Sequence, residues 1–348
     1  MNYPHTDEIQ TLIDNATKIV IVQADNPDAD SLGSALALEQ ILGDMGKEVF
    51  LYGAVDVPSY LRYLPGWDRV NKDLPTQFDL SIIVDASTMT LFEKLQASPQ
   101  KSWLAAKPCI VLDHHKTVSN EIPFATITIC DPARASAGEL IYMIATQLGW
   151  TMSIPAMDCL MTSILGDTQG LSNSQTNVDT YRIMAAFVEA GVDRPRLEEL
   201  RREFGKMPLT IFKYKAILIE RTELYADSHL AFIDIPQQEI TTYSPLYNPV
   251  PLIQTDMLQI QDVNVAIGMK HYDDGKVTAS IRCNATYPIA AQLAEHFGGG
   301  GHALASGFKV QDGRPFNEIK SECIRYATEL LETLEKERPD EVIQHTFA

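Results

Sequence analysis

The chain is expected to fold as an α/β protein, a larger domain with a mainly parallel sheet joined by a helical connector to a smaller α/β domain. Three features carry that expectation. In the first half, short runs of apolar residues such as Lys18 to Gln23, Leu80 to Val84 and Cys109 to Leu112 alternate with segments of helical spacing. Strands that are apolar at nearly every position are covered on both faces, as parallel strands linked by helices are. A highly charged stretch from Arg194 to Lys206 follows, and beyond it the pattern changes to strands separated by turn residues.

Taken in order, Lys18 to Gln23 is the first strand. Ser31 to Met45 sets Leu32, Ala35, Leu36, Leu38 and Leu42 at helical spacing, with Asp30 or Ser31 as its cap. Glu48 to Tyr52, Leu80 to Val84 and Cys109 to Leu112 are further strands. Ser136 to Leu148 and Pro155 to Leu165 read as packed helices, Asp167 to Asn177 as a polar segment, and Val178 to Ala190 as a helix that Gly191-Val192-Asp193-Arg194-Pro195 ends. The first domain is therefore expected over 1–190, the connector over 191–222 and the second domain over 223–348. In the latter, Leu230 to Ile235 and Val263 to His271 are strands, and Asp273-Asp274-Gly275-Lys276 supplies the turn of a hairpin that continues in Val277 to Arg282. Pro288 to Phe297 reads as a helix before the run Gly298-Gly299-Gly300-Gly301-His302, and Phe316 to Glu335 as an amphipathic closing helix.

Composition narrows the class. The 348 residues, 45% of them apolar, support two buried cores. A formal charge of −18 disfavours broad electrostatic binding to long duplex nucleic acid, so a small anionic substrate needs local help from metal ions, Arg or backbone amides. No stretch of about 18 uninterrupted apolar residues occurs, and the N-terminus has no secretory pattern, so a cytoplasmic protein without membrane contact is expected. Cys109, Cys130, Cys159, Cys283 and Cys323 form no Cys-x-x-Cys pair and are expected as reduced, buried thiols.

The chemistry lies in four segments. Asn26-Pro27-Asp28-Ala29-Asp30-Ser31 leaves the first strand and sets two carboxylates one residue apart, able to serve two adjacent ions. Ile82-Ile83-Val84-Asp85, Ile110-Val111-Leu112-Asp113-His114-His115 and Ile164-Leu165-Gly166-Asp167 place further carboxylates and two imidazoles at the ends of apolar, strand-like runs. Strand carboxyl ends of an open α/β sheet converge on one crevice, so these groups can meet. Mixed oxygen and nitrogen donors suit Mn, with Mg and Fe as the other candidates. Adjacent His residues on an extended segment point different ways, leaving one for a metal and one for a substrate oxygen. A metal-dependent enzyme is the expectation.

Other residues read more plainly. His5, His229, His271, His296 and His345 lack partners at telling spacings and are expected as surface or packing residues, Arg134 as a surface residue, and Trp67, Trp103 and Trp150 as packing or rim residues. The glycine run lets backbone amides approach a phosphate closely. Arg282 on its strand can face either solvent or a cleft.

The segments "NPDADSLGSA" (26–35), "IIVDAST" (82–88), "VLDHHKT" (111–117) and "GDTQG" (166–170) resemble the motifs of the DHH phosphoesterases, within the RecJ-like superfamily. "GGGGHALASGF" (298–308), preceded by the strand "TASIRCN", resembles the glycine-rich signature of the associated DHHA1 domain. The two-domain layout is similar to the nanoRNase and pAp-phosphatase branch. The resemblance implies a Mn2+-dependent phosphodiesterase, using two ions with Mg2+ as a substitute, that hydrolyses linear dinucleotides, nanoRNA or pAp to mononucleotides. It implies that Asp85 bridges the ions, that Asp28 belongs to one, and that Asp30, His114 and Asp167 belong to the other. His115 would then contact the substrate phosphate and Asp113 would orient the pair. Arg282, Gly299, Gly300, Gly301 and His302 would hold substrate, with the active site between the domains. A homodimer is compatible with this branch.

One departure stands out. Members of the family commonly carry a metal-binding His four residues before the first Asp of the pair, and here that position is Ala24, flanked by Gln23, Asp25 and Asn26. The Asp28 site is expected to be weaker or differently liganded, with Asp25 able to shift towards it. The alternatives are a cyclic-dinucleotide phosphodiesterase, a polyphosphatase or pyrophosphatase, and a nucleotide-binding protein without turnover.

Overall fold

Six strands line up in parallel to form the first sheet of the computed structural model, which describes residues 2–115, 121–244 and 247–337, with His302 by its backbone alone. The chain divides into two units, Met1–Lys206 and Met207–Ala348. Within the first, α1 (Thr6–Asn15) precedes β1 (Lys18–Val22), α2 (Ala29–Asp44), β2 (Glu48–Tyr52), β3 (Val70–Asn71) and β4 (Leu80–Val84). Short helices α3 (Glu93–Gln96) and α4 (Gln100–Ala105) lead to β5 (Cys109–Asp113) and β6 (Ile127–Cys130). Helices α5 (Ala137–Leu148), α6 (Ile154–Asp167), α7 (Val178–Ala190) and α8 (Arg194–Phe204) complete the unit.

The sheet order is β3-β2-β1-β4-β5-β6. The chain builds outward from β1 in one direction and from β4 in the other, so these two strands flank the switch point where the carboxyl ends open a crevice. Alternate residues divide between two cores. Ile19 and Ile21 pack with α2, α5 and α6, while Val20, Val22 and Ala24 join Ile83, Val111, Met89 and Phe92 on the other face. Helix α2 is buried over most of its surface because it lies against both the sheet and α6. Gly166 lets α6 come this close: a Cβ there would stand 2.6 Å from the Ala29 Cβ.

The second unit is built on a mixed sheet. Helix α9 (Leu209–Arg221), β7 (Glu223–Tyr225), β8 (Leu230–Pro236), α10 (Gln237–Tyr243) and α11 (Pro249–Met257) come first. They are followed by β9 (Val265–His271), β10 (Val277–Cys283), α12 (Ala290–His296), β11 (Gly300–His302), β12 (Ala305–Val310) and α13 (Phe316–Glu337). The order is β11-β12-β10-β9-β8-β7, antiparallel except for the β8–β9 pair. Helices α12 and α13 cover one face and α9 to α11 part of the other.

The fold departs from the expected division at the connector. Leu197 of α8 is buried in the core of the first unit, whereas Ile211, Tyr214 and Leu218 of α9 are buried in the second. The charge of 194–206 marked a helix with Leu197 buried and Leu200 packed against the same core, and the break falls after Lys206. Among the described residues, no helix is long and apolar enough to cross a membrane. Four cysteines are buried and Cys130 is partly so; His345, like Lys116 and Thr117 of the third motif, lies outside the described residues.

Candidate metal centre

Four chain segments deliver the site, three of them at carboxyl ends of strands. Asp28 and Asp30 follow β1 at the start of α2, Asp85 follows β4, and Asp113, His114 and His115 end β5. Asp167 comes instead from the last residue of α6, which agrees with the helix expected over Pro155 to Leu165 and corrects the strand-like reading of Ile164 to Asp167.

His114 stands at the middle. Its Nε2 lies 3.0 Å from Asp167 Oδ2, 3.4 Å from Asp30 Oδ2 and 3.6 Å from Asp85 Oδ1. The ring is buried, and its Nδ1 is 3.3 Å from the Arg134 carbonyl, so an Nδ1–H donated there leaves Nε2 to face the carboxylates. Burial opposes a charge on His114, but the Asp167, Asp85 and Asp30 carboxylates outweigh it and raise its pKa to about 11. Burial and neighbouring carboxylates push Asp85 well above its usual range, and burial pushes Asp167 up too.

Each donor is held in place by its surroundings. Asp30 is fully buried: its Oδ2 accepts the Ala137 N–H at 2.7 Å, and its Oδ1 accepts from Ser163 Oγ at 2.6 Å, Ser34 Oγ at 3.0 Å and the Gly138 N–H at 3.2 Å. The N-terminus of α5, capped by Ser136, thus supports a negative charge from the start of α2. Asp85 is in the left-handed region, φ 56°, and its N–H donates to the Leu112 carbonyl at 2.9 Å. Asp113 Oδ1 accepts the N–H of His114 at 2.8 Å, the N–H of His115 at 3.2 Å and His115 Nδ1 at 2.9 Å. Burial works against the Asp113 charge, yet these bonds and the adjacent His115 hold its pKa below the usual value.

Two overlapping groups have the chemistry of a divalent cation site: Asp30, His114 and Asp167, and Asp85, His114 and His115. Within each, donor atoms lie within 4.8 Å of one another. The Asp85 Oδ1 and His114 Nε2 atoms are buried and complete no hydrogen bond of their own. Buried polar atoms of this kind call for a partner, and mixed carboxylate and imidazole donors fit Mn or Mg.

Asp28 stands outside both groups. Its side chain caps α2, accepting the Ser31 N–H at 3.0 Å. Although the residue is open to solvent, the crowding of protein around its carboxyl, then the charges of Asp30 and Asp167, push the pKa up to about 6. Ala24 is buried in the apolar cluster with Tyr52, Ala86, Met89 and Phe92. Asp25 accepts the Lys94 N–H at 2.8 Å and joins neither group, so it does not take the place of an imidazole at position 24.

Arg134 corrects the surface expectation. It is 6% exposed, and it pairs with Glu139 at 3.1 Å, Asp131 at 3.2 Å and Asp179 at 3.6 Å while its carbonyl holds His114. Sequence reasoning also missed the roles of Ser34 and Ser163, small hydroxyls inside apolar helices that give no periodic signal, and of Ser136 at the cap of α5. A buried Glu139 one turn into α5 was the available hint for Arg134, since a buried carboxylate needs a cation or hydrogen bonds.

In the second unit, Arg282 is exposed on β10 and donates to the Ile281 carbonyl at 2.9 Å. Gly299 precedes, and Gly300 and Gly301 form, the edge strand β11 beside β12. Gly301, at φ 141°, would bring a Cβ within 2.7 Å of the Ala305 carbonyl, so the hairpin itself requires glycine there. The His302 side chain lies outside what is described.

Comparison with known proteins agrees with this arrangement. Residues 18–164 match the DHH family, N-terminal domain. The chain is 25% identical over 285 residues to a bifunctional oligoribonuclease and PAP phosphatase NrnA of Thermus thermophilus, covering 81% of each chain. It is 26% identical over 290 residues to a probable NrnA of the same description from Streptococcus mutans, covering 83% of this chain and 88% of the relative. An exopolyphosphatase-related protein of Bacteroides fragilis shares the fold with a TM-score of 0.81 at 22% identity, over 94% of this chain and 97% of the other. Residues 18–164 thus carry the match to the DHH family, N-terminal domain, and the chain is a phosphoester hydrolase.

Proposed function

We propose that the protein is a Mn-dependent phosphodiesterase that hydrolyses short oligoribonucleotides, and pAp, to mononucleotides at the centre around His114. The observation that carries the reading is the meeting of Asp30, Asp85 and Asp167 around one imidazole whose Nε2 completes no hydrogen bond. The relatives named for oligoribonuclease and PAP phosphatase activity support the substrate class.

Asp30, Asp85, Asp167 and His114 would hold a divalent ion, and a second ion beside Asp85, with Asp28 at its margin, is part of the proposal. Bound divalent ions supply charge neutralisation at the phosphate and ease deprotonation of the attacking water. The chain's own part begins with Asp113, which accepts from His115 Nδ1 and stabilises the charged imidazole. That bond raises the His115 pKa and so favours the charged form, whose Nε2–H can be donated to a phosphoryl oxygen. His115 is half exposed, as a residue that must reach substrate is. Arg282 and the amides of Gly299 to Gly301 are the proposed contacts to a second phosphate.

The test is release of AMP from 5′-phosphorylated diadenylate with added Mn, beside the Asp85→Asn protein and a polyphosphate control. Turnover that falls by about 10²-fold or more in the variant supports the reading. Hydrolysis of polyphosphate alone, or no turnover of any nucleotide by folded protein with Mn, would sink it.

A further inference from the structure

On the side away from the carboxylates, the His114 ring is held through Nδ1, 3.3 Å from the Arg134 carbonyl. That carbonyl ends a tight turn, Asp131-Pro132-Ala133-Arg134, in which the Arg134 N–H donates to the Asp131 carbonyl at 3.0 Å. Proline at its second position presets one of the turn's dihedrals. Asp131 Oδ1 accepts the Ala133 N–H at 3.0 Å, a side-chain bond that stiffens such turns. The Asp131 N–H donates to the Asp113 carbonyl at 3.0 Å. One residue thus joins the strand that ends in the histidines to the loop that holds one of them.

The other oxygen of Asp131 meets a residue that precedes α1. Asp131 Oδ2 lies 3.2 Å from Arg134 Nε and accepts the Tyr3 hydroxyl at 2.8 Å. Tyr3 is buried in the core shared by α2, α5 and α6. Its backbone is fastened to α5: its N–H donates to Gln147 Oε1 at 2.8 Å, and Gln147 Nε2 donates back to the Tyr3 carbonyl at 3.3 Å and to Thr6 Oγ1 at 2.8 Å. Burial, and then the Asp131 carboxylate, hold the phenol well above its ordinary pKa, so the hydroxyl keeps the proton it donates. Phenylalanine would fill the same place in the core. What the hydroxyl adds is the bond to Asp131, without which its burial would cost stability.

We propose that Tyr3 is a positioning residue for the metal centre, its hydroxyl holding Asp131 and the 131–134 turn so that the Arg134 carbonyl fixes the His114 ring with Nε2 towards Asp30 and Asp167. The proposal rests on the reading of His114 as a metal ligand. It follows from the way imidazole ligands work: a partner on the second ring nitrogen sets the tautomer and the direction of the first. Without the Tyr3 bond, the Asp131 carboxylate, whose side chain is already 18% open to solvent, can turn towards water, and the turn loses a fastener.

The experiment compares the natural chain with three variants. Tyr3→Phe keeps the ring in the core, Asp131→Ala removes the carboxylate, and Trp150→Phe breaks a different contact to α1, Trp150 Nε1 to Gln10 Oε1 at 2.7 Å. Nitrogen-15 spectra of the histidine rings in EDTA, with His114 identified through His114→Gln, read the Nδ1–H bond. Calorimetric titration with Mn reads affinity. The natural chain and Trp150→Phe are expected to show a slowly exchanging His114 Nδ1–H, and Tyr3→Phe one that exchanges about tenfold faster. Mn affinity should fall roughly three- to tenfold in Tyr3→Phe and about 10- to 100-fold in Asp131→Ala, the range for loss of a group behind a ligating imidazole. Melting in EDTA should drop by similar small amounts in Tyr3→Phe and Trp150→Phe, which separates positioning from stability. An unchanged His114 signal in Tyr3→Phe, or an equal change in Trp150→Phe, would overturn the proposal. A natural chain that binds no Mn would defeat the metal reading instead, and the spectra in EDTA would still decide whether Tyr3 holds the ring.

Discussion

At the scale of single residues, the groups that hold the ligands decide as much as the ligands. Asp113 donates nothing to the cation groups but fixes the His114 and His115 backbone and the His115 ring through one oxygen. Asp113→Asn is expected to lower kcat about 10- to 100-fold, as loss of a carboxylate behind a functional imidazole does. It should also shift the basic limb of the pH–rate profile to lower pH, because the bond to Asp113 is the first cause raising the His115 pKa. A profile that keeps its basic limb would mean that His115 does not act as the charged form.

Arg134 acts one step further out. Its guanidinium neutralises Glu139, which is fully buried and whose pKa burial pushes up, while Thr180 and Arg134 pull it down. Arg134→Met leaves that carboxylate without its cation, a change that costs about 3–5 kcal/mol when a buried pair is broken. Denaturant unfolding should show the loss at pH 7 and a smaller one at acid pH, since burial raises the Glu139 pKa and eases its protonation. Adding Glu139→Gln should recover part of it. If the single variant is as stable as the natural chain, the pair is not a structural requirement.

At the scale of elements, the site depends on how closely α6 approaches α2. Gly166 precedes Asp167, and the Cβ it lacks would meet Ala29, which precedes Asp30. Gly166→Ala should therefore separate two donors as well as strain the packing, with a loss of about 1–3 kcal/mol by overpacking. Calorimetric titration with Mn should show weaker binding in the same protein. Unchanged Mn affinity despite lower stability would place Asp167 outside the ion's coordination.

The strand elements were legible from sequence because parallel, doubly covered strands are apolar throughout. The two-residue β3 and the four-residue β6 carry too little pattern to be read that way. Asp167 shows the opposite limit: the short run Ile164 to Asp167 reads as strand-like by itself, and only the longer stretch from Pro155 gives the helix that delivers it.

At the scale of the whole molecule, every residue of the two cation groups lies within the first unit. A divalent ion should raise the thermal stability of that unit and leave the second nearly unchanged, by about 2.7 kcal/mol at a hundredfold excess over Kd. The pH dependence has a definite sign. The folded-state pKa of Asp28 is raised to about 6, so between the unfolded value and 6 the folded chain holds a proton the unfolded chain has released. His114, raised to about 11, keeps its proton above the unfolded value near 6.5. Both make the metal-free protein lose stability as pH rises, through about 4 to 6 for Asp28 and from about 6.5 upwards for His114. Stabilisation by metal should grow over the same range, since ligands must release protons to bind. Melting curves in EDTA and in Mn between pH 5 and 8 would reveal it, and metal-free stability that rises with pH would contradict the assignment of these groups.

What the sequence determined by itself was the α/β class, most strand positions and the identity of the converging acids and imidazoles. Those follow from local pattern, and from the rule that strand ends of an open α/β sheet face one crevice. Tertiary structure alone decided that His114 is shared between two donor groups while Asp28 caps α2, and that Arg134 is buried behind the site. Each of these turns on distances between segments far apart in the chain, set by helix packing and strand register, on which the spacing of residues along one segment carries no information.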